Sequence, residues 1–193
     1  MNVHALYDLA FRRFRPARLR LLYRTLAVTA ETRVLDVGGS ADLWRRARCE
    51  GLPLPRLTVL NLEVHPDPSL EGARWVCGDA CRLPFADLAF DVAVSNSVIE
   101  HVGGWEDQKR MADEVRRVGK RYFIQTPNRW FPIEPHFLFP FFQFLPVVVR
   151  AWLLRRRKLG WMEKVADPVL ARQTVESVRL LGPRQMNIDS AHV

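Results

Sequence analysis

The chain has 193 residues, 48% of them hydrophobic, and 29 Lys and Arg against 21 Asp and Glu give it a formal net charge of +8. A length near that of one ordinary domain, with this share of apolar residues, excludes a disordered tail and a disulfide-stapled miniprotein. Three cysteines, Cys49, Cys77 and Cys81, are an odd number without a CxxC pair, which argues against a disulfide framework or zinc site and for a reducing, cytoplasmic setting.

A basic balance of this size suggests nucleic acid or membrane as partner, and the location of the charge narrows that reading. Residues 1–30 carry six Arg against Asp8, and residues 150–164 carry six basic groups against Glu163. The stretch between them, 31–149, holds 14 basic and 16 acidic residues, so the globular middle is slightly acidic. No uninterrupted apolar segment precedes a small-residue cleavage site at the N-terminus, so a secretory signal is not expected. The longest uncharged run, Pro135 to Val149, has 15 residues and three prolines, short of the roughly 20 apolar residues that span a bilayer.

In chain order, residues 4–14 and 17–28 predict two short basic helices split by Pro16. Arg33 to Val37 predicts a buried strand that ends in Gly38-Gly39-Ser40, followed by a helix over Ala41 to Cys49 closed by Gly51 and Pro53. Leu57 to Leu62 predicts a second strand ending at Glu63. The nine residues that follow leave little room for a crossover helix. Further strands are predicted at Arg74 to Cys77, Asp91 to Ser95 and Tyr122 to Gln125. A helix over Trp105 to Val118 has Met111, Ala112, Val115 and Val118 as its apolar stripe and Gly119 as its stop. Strands alternating with helices or loops imply an α/β fold with a mostly parallel sheet, and without repeats or a low-complexity linker a single domain over 1–193 is expected.

Ligands in open parallel sheets sit beyond the carboxyl ends of the strands, and the informative residues fall there. Asp36 to Ser40 closes the first strand, Glu63 the second, Gly78-Asp79-Ala80 the third and Asn96 the fourth. Gly38 and Gly39 admit backbone conformations closed to other residues and let a ligand approach the main chain. The dinucleotide fingerprint G-x-G-x-x-G fails at its second and third glycines, because residues 38–43 read Gly-Gly-Ser-Ala-Asp-Leu. Glu63 can chelate vicinal ribose hydroxyls in either case.

Residues 32–128 resemble the class I S-adenosylmethionine-dependent methyltransferases. The resemblance rests on Val-Leu-Asp-Val-Gly at 34–38, Gly-Asp-Ala at 78–80, Leu-Pro-Phe at 83–85, Phe-Asp at 90–91 and Ile-Glu-His-Val at 99–102. It implies a Rossmann-like sheet of order 3-2-1-4-5 with S-adenosyl-L-methionine as cofactor. On it, Asp36, Gly38, Gly39 and Ser40 cup the methionine and ribose, Glu63 binds ribose hydroxyls, Asp79 and Ala80 face the adenine, and Asn96 lies near the methionine. No metal is implied. The chain departs from the pattern at Ser40, where another glycine is common, and after the fifth strand, where the C-terminal antiparallel hairpin of the family is expected to be incomplete or missing.

Methyl transfer is an in-line displacement, so alignment and, where needed, removal of the acceptor's proton are the tasks of the protein. His101 and His136 are the candidate bases. Glu100 has a bland explanation, because Ser97-Val98-Ile99-Glu100 has the form of a capping box. The segment 129–165 reads as an aromatic and basic lid, and the five Phe of its run Phe137 to Trp152, followed by Arg155-Arg156-Arg157-Lys158, also describe a segment that seats on anionic lipid. Specific nucleic acid is not expected: the Asn/Asp-Pro-Pro-aromatic motif of amino-group methylation is absent, since residues 96–99 read Asn-Ser-Val-Ile. The expected function is methyl transfer to a small or lipid-linked acceptor, in the cytoplasm or at the inner membrane face. The alternatives are a shortened, inactive cofactor- or membrane-binding member of the same fold and, more distantly, an NAD-binding oxidoreductase.

Overall fold

A computed structural model describes residues 16–181. They divide into two compact units, 16–125 and 126–181. The predicted helix over 4–14 lies outside the described residues.

The first unit is built on five parallel strands: β1 (Arg33–Val37), β2 (Arg56–Asn61), β3 (Arg74–Cys77), β4 (Phe90–Asn96) and β5 (Gly119–Gln125), in the order β3-β2-β1-β4-β5. Strands covered on both faces become continuous apolar runs, and β1 is buried from Val34 to Val37. The order and the parallel pairing are those the resemblance implied. β5 begins at Gly119, three residues before Tyr122, because the residue that stops the preceding helix is also the first to pair, opposite Phe90.

Three helices flank the sheet: α1 (16–25), α2 (Ala41–Cys49) and α3 (Trp105–Val118). Helix α1 and the turn after it place Leu19, Leu22, Tyr23 and Leu26 in one core with Val34, Trp44, Leu57 and Val59. The basic residues of this segment therefore decorate a helix seated on the core, and Arg20 pairs with Glu50. The helix ends before residue 28: Val28 N donates to Tyr23 O at 3.0 Å and Ala27 N to Arg24 O at 3.3 Å, with Ala27 left-handed at φ 44. This is the hydrogen-bond pattern that closes helices with a left-handed residue. Ser40 caps α2 by accepting from Asp42 N at 3.4 Å. No helix intervenes between β2 and β3, as the short connection requires.

The amino-terminal edge of the sheet is tied by Asp91 at the start of β4. Its carboxylate accepts from Arg33 N at 3.0 Å, from Arg33 Nε and Nη2 at 3.2 and 3.1 Å, and from Lys120 Nζ at 3.0 Å. One acid thus fastens the beginnings of β1, β4 and β5, and these bonds hold its carboxyl well below the usual range. The Leu-Pro-Phe stretch is held by Arg117 of α3, which donates to Leu83 O at 3.1 Å and Phe85 O at 2.8 Å.

The second unit contains β6 (Ile133–Glu134), β7 (Phe139–Pro140), α4 (Val147–Arg156) and α5 (Pro168–Glu176). Its core is Phe137, Phe142, Ala151, Leu154, Leu159, Ala171, Val175 and Val178. Strands β6 and β7 form an antiparallel pair in a sheet of their own. Among the described residues, the five-stranded sheet ends at β5, so this small hairpin does not extend it.

Candidate functional site

The carboxyl ends of β1, β2, β3 and β4 lie along one edge of the first unit, with Val37 beside Leu60, Asn61 beside Cys77 and Asn96 beside Gln125. At the end of β1 the chain turns through Gly38, which is left-handed at φ 71 and donates from its N–H to Leu60 O at 2.7 Å. A Cβ on Gly38 would stand 2.4 Å from Val98 Cγ1, and one on Gly39 would stand 2.0 Å from Asp36 Oδ2. Neither position has room for a side chain, which is the physical content of the two glycines.

Beneath the turn, Asp36 is 1% exposed. Trp44 Nε1 donates to its Oδ2 at 2.7 Å, while its Oδ1 is buried and has no hydrogen-bond partner. Burial raises the carboxyl to about 7, and the indole bond opposes that rise. The turn is also gripped from β2. Asn61 Nδ2 donates to Gly39 O at 3.0 Å and Gly38 O at 3.3 Å, and Asn61 Oδ1 accepts from Leu62 N at 2.8 Å.

Sequence reasoning missed both Trp44 and Asn61. Trp44 reads as one more apolar residue on the buried stripe of α2, and Asn61 as a polar strand end. Only the pairing of β1 with β2 brings Asn61 beside the glycine turn.

Glu63 lies two residues beyond β2 and is exposed, with His65 Nε2 3.8 Å from its Oε2. After β3, Gly78 N donates to Asn61 O at 3.0 Å. Asp79 Oδ1 accepts from Cys81 N at 2.8 Å, a side-chain-closed turn in which Asp79 stays exposed and Ala80 is buried. Asn96 ends β4 exposed, and the next residue, Ser97, is left-handed at φ 57 with its N–H donating to Gln125 O at 2.8 Å.

The expected capping box at 97–100 does not form. Residues Ile99–His101 make a single 3-10 turn with Val98 at its N-cap and no side-chain cap. Ser97 is committed to the end of β5 instead. Glu100 is fully buried and His101 exposed.

An open groove of about 380 Å³ adjoins the turn, lined by Ser40, Asp42, Arg45, His65 and Asp67 among others, with Arg45 Nη1 3.2 Å from Asp67 Oδ2. It meets the predicted cofactor residues only at Ser40. In the second unit, His136 is not a solvated loop residue. Its Nδ1 lies 2.7 Å from Oε1 of buried Glu134, whose Oε2 accepts from Phe137 N at 2.6 Å.

A family model described as a methyltransferase domain matches residues 45–122. An uncharacterised methyltransferase of Mycobacterium sp. (strain KMS) is 36% identical over 87 residues, 44% of this chain and 33% of the relative. An uncharacterised protein of Mycobacterium tuberculosis (strain H37Rv) is 42% identical over 57 residues, 30% of this chain and 20% of the relative. The match to the first of these covers about a third of that relative's length. Among solved structures, a putative methyltransferase from an antibiotic biosynthesis pathway of Anabaena variabilis superposes with a TM-score of 0.51 at 15% identity, covering 74% of this chain and 60% of that one, a likeness of fold. Over residues 45–122 the chain is thus similar to a methyltransferase domain, and those residues are set in a five-stranded parallel sheet of order β3-β2-β1-β4-β5.

Proposed function

We propose that the chain transfers a methyl group from S-adenosylmethionine to a small or lipid-linked acceptor. The observation that supports this best is the edge formed by β1 and β2. There a turn with no room for side chains lies over a buried carboxylate with one oxygen that accepts no hydrogen bond, and an exposed carboxylate follows at the next strand end.

The residues fit the cofactor. Exposed Glu63 suits two vicinal ribose hydroxyls, since a carboxylate accepts from both. Gly38, Gly39 and Ser40 would offer main chain to the ribose and methionine. The unfilled Oδ1 of Asp36 is an acceptor for a donor on that moiety. Ala80 would cover an adenine face, with Asp79 and Asn96 at the adjoining strand ends. When bound, S-adenosylmethionine supplies an electrophilic methyl carbon. The residues around it have only to hold the donor still and accept the proton that the acceptor loses.

For that proton two histidines are proposed on separate grounds. His101 is exposed on the 3-10 turn that follows β4. His136 is held through Nδ1 by Glu134, an arrangement that fixes the ring.

Calorimetric titration with S-adenosylmethionine and its demethylated product tests the cofactor, and labelled methyl transfer to lipid, quinone and saccharide acceptors tests the reaction. Binding of both ligands, with about tenfold or greater weakening in Glu63→Gln, is expected. Absence of heat and of thermal stabilisation with either ligand refutes the assignment. Heat without a methylated product would favour a binding member of the fold, and a nicotinamide fluorescence change on titration with NADH would favour the oxidoreductase.

A further inference from the structure

Soluble units rarely leave a continuous set of large apolar side chains in water unless the set meets something. The second unit exposes several. Its core is closed, yet Trp130, Phe131, Phe141, Phe144, Val148 and Trp152 are all exposed, Val148 by 77% and Trp130 by 66%.

These residues are held together in the fold. The rings of Trp130 and Phe144 lie 5.4 Å apart. Gln143 Nε2 donates to Arg129 O at 3.0 Å and Phe131 O at 2.7 Å, and Phe141 N donates to Pro132 O at 2.7 Å. Phe141 is left-handed at φ 56. A bulky residue held in that region is strained, and here it is an exposed aromatic.

From this cluster the chain enters α4, whose usual polarity is reversed in its first half. Ala151 and Leu154 face the core, while Val148, Val149 and Trp152 face water. The last turn then presents Arg155 and Arg156, followed by Arg157 and Lys158.

The cations sit against the aromatics: the Arg156 guanidinium is 5.1 Å from the Trp152 ring centre, and that of Arg157 is 5.6 Å from the Phe139 ring centre. None of Arg155, Arg156 and Arg157 is ion-paired with a carboxylate among the described residues. Residues 126–181 hold nine basic and four acidic residues, and of the acids Glu134 is buried and Glu163 pairs with Lys158.

Aromatic and aliphatic side chains beside unpaired arginines match the two layers of a bilayer surface, acyl chains beneath anionic headgroups. At ten residues α4 is about 15 Å long by helical rise, half a hydrocarbon core, and no helix among the described residues is long and apolar enough to cross a membrane. We infer that the face formed by Trp130, Phe131, Phe141, Phe144 and the Val148–Trp152–Arg156 side of α4 docks in the plane of an anionic lipid surface.

The full chain is tested by cosedimentation with phosphatidylcholine vesicles with and without phosphatidylglycerol, and by quenching of tryptophan fluorescence with brominated lipid. Binding to the anionic vesicles at low salt is expected, decreasing as salt rises. Arg155→Gln combined with Arg156→Gln should weaken it about twenty-five-fold, at about fivefold per charge. Trp152→Ser and Val148→Ser should reduce both binding and quenching, with unchanged circular dichroism showing that the fold is kept. Three results overturn the proposal: no pelleting with anionic vesicles, equal pelleting with neutral ones, or indifference to vesicles together with a concentration-dependent dimer that Trp152→Ser abolishes. Because none of these variants touches the glycine turn, calorimetry with S-adenosylmethionine reports separately on the proposed function.

Discussion

Trp44 on α2 donates its indole N–H to Asp36 at the end of β1, 2.7 Å from Nε1 to Oδ2, and among the described residues this is the only bond that the buried carboxylate receives from another side chain. Burial wins over the bond, and the carboxyl titrates near 7. An ordinary Asp in the unfolded chain titrates near ~3.9. As pH rises from about 4 to about 7 the folded state therefore keeps a proton that the unfolded state has released, and stability falls across that window and levels off above it. The loss is at most about 4 kcal/mol. Asp36→Asn keeps an acceptor for Trp44 and removes the titration. It should flatten the pH dependence of the melting temperature and melt higher than the parent above pH ~7, as read by differential scanning fluorimetry. If Asp36 also meets the cofactor, the same variant binds S-adenosylmethionine more weakly while being the more stable protein.

Gly39→Ala places a methyl where the Asp36 carboxylate stands. Either the carboxylate or the turn must move, so loss of cofactor binding by about a hundredfold or more is expected, with a stability cost of about 1–3 kcal/mol. Calorimetry and denaturant unfolding read the two effects separately.

Asn61→Ala removes the clasp that β2 places on the carbonyls of Gly38 and Gly39. The turn keeps the bond from Gly38 N to Leu60 O. Cofactor affinity should fall about fivefold to tenfold, with about 1 kcal/mol or less of stability lost, because water can satisfy the freed carbonyls. A Leu62→Ala control leaves the clasp intact and should bind as the parent does.

Strand positions were legible because parallel strands buried on both faces leave short apolar runs bounded by turn residues. The glycine turn was legible for the same reason, as punctuation at the end of such a run. What the sequence hid were the partners set by pairing between strands and helices: Asn61 reaches the turn only through the β1–β2 register, and Trp44 reaches Asp36 only when α2 lies against β1. Ser97 misled because a capping box is a local pattern, and the non-local bond to Gln125 O prevails over it. His136 reads as a loop residue until its own unit folds and buries Glu134 beside it.

Asp91 offers the acid counterpart to Asp36. Its carboxyl is depressed by Arg33 and Lys120, so the stability it gives is complete above the ordinary carboxylate value and is lost as pH falls through the lower folded one. Asp91→Asn should cost about 1–2 kcal/mol at neutral pH. Its acid-unfolding midpoint should shift less than the parent's does between low and high salt. Acid titrations followed by circular dichroism check both.

The clamp at Asp91 and the glycine turn stand at opposite ends of the same strands. One end is a moored quay of fixed charges, and the other carries a berth bounded by connecting loops. Substitutions in those loops can change what is berthed without loosening the moorings, so variants selected for a new acceptor should tolerate change beyond the carboxyl ends of β1 to β4 far better than change at Arg33, Asp91 or Lys120.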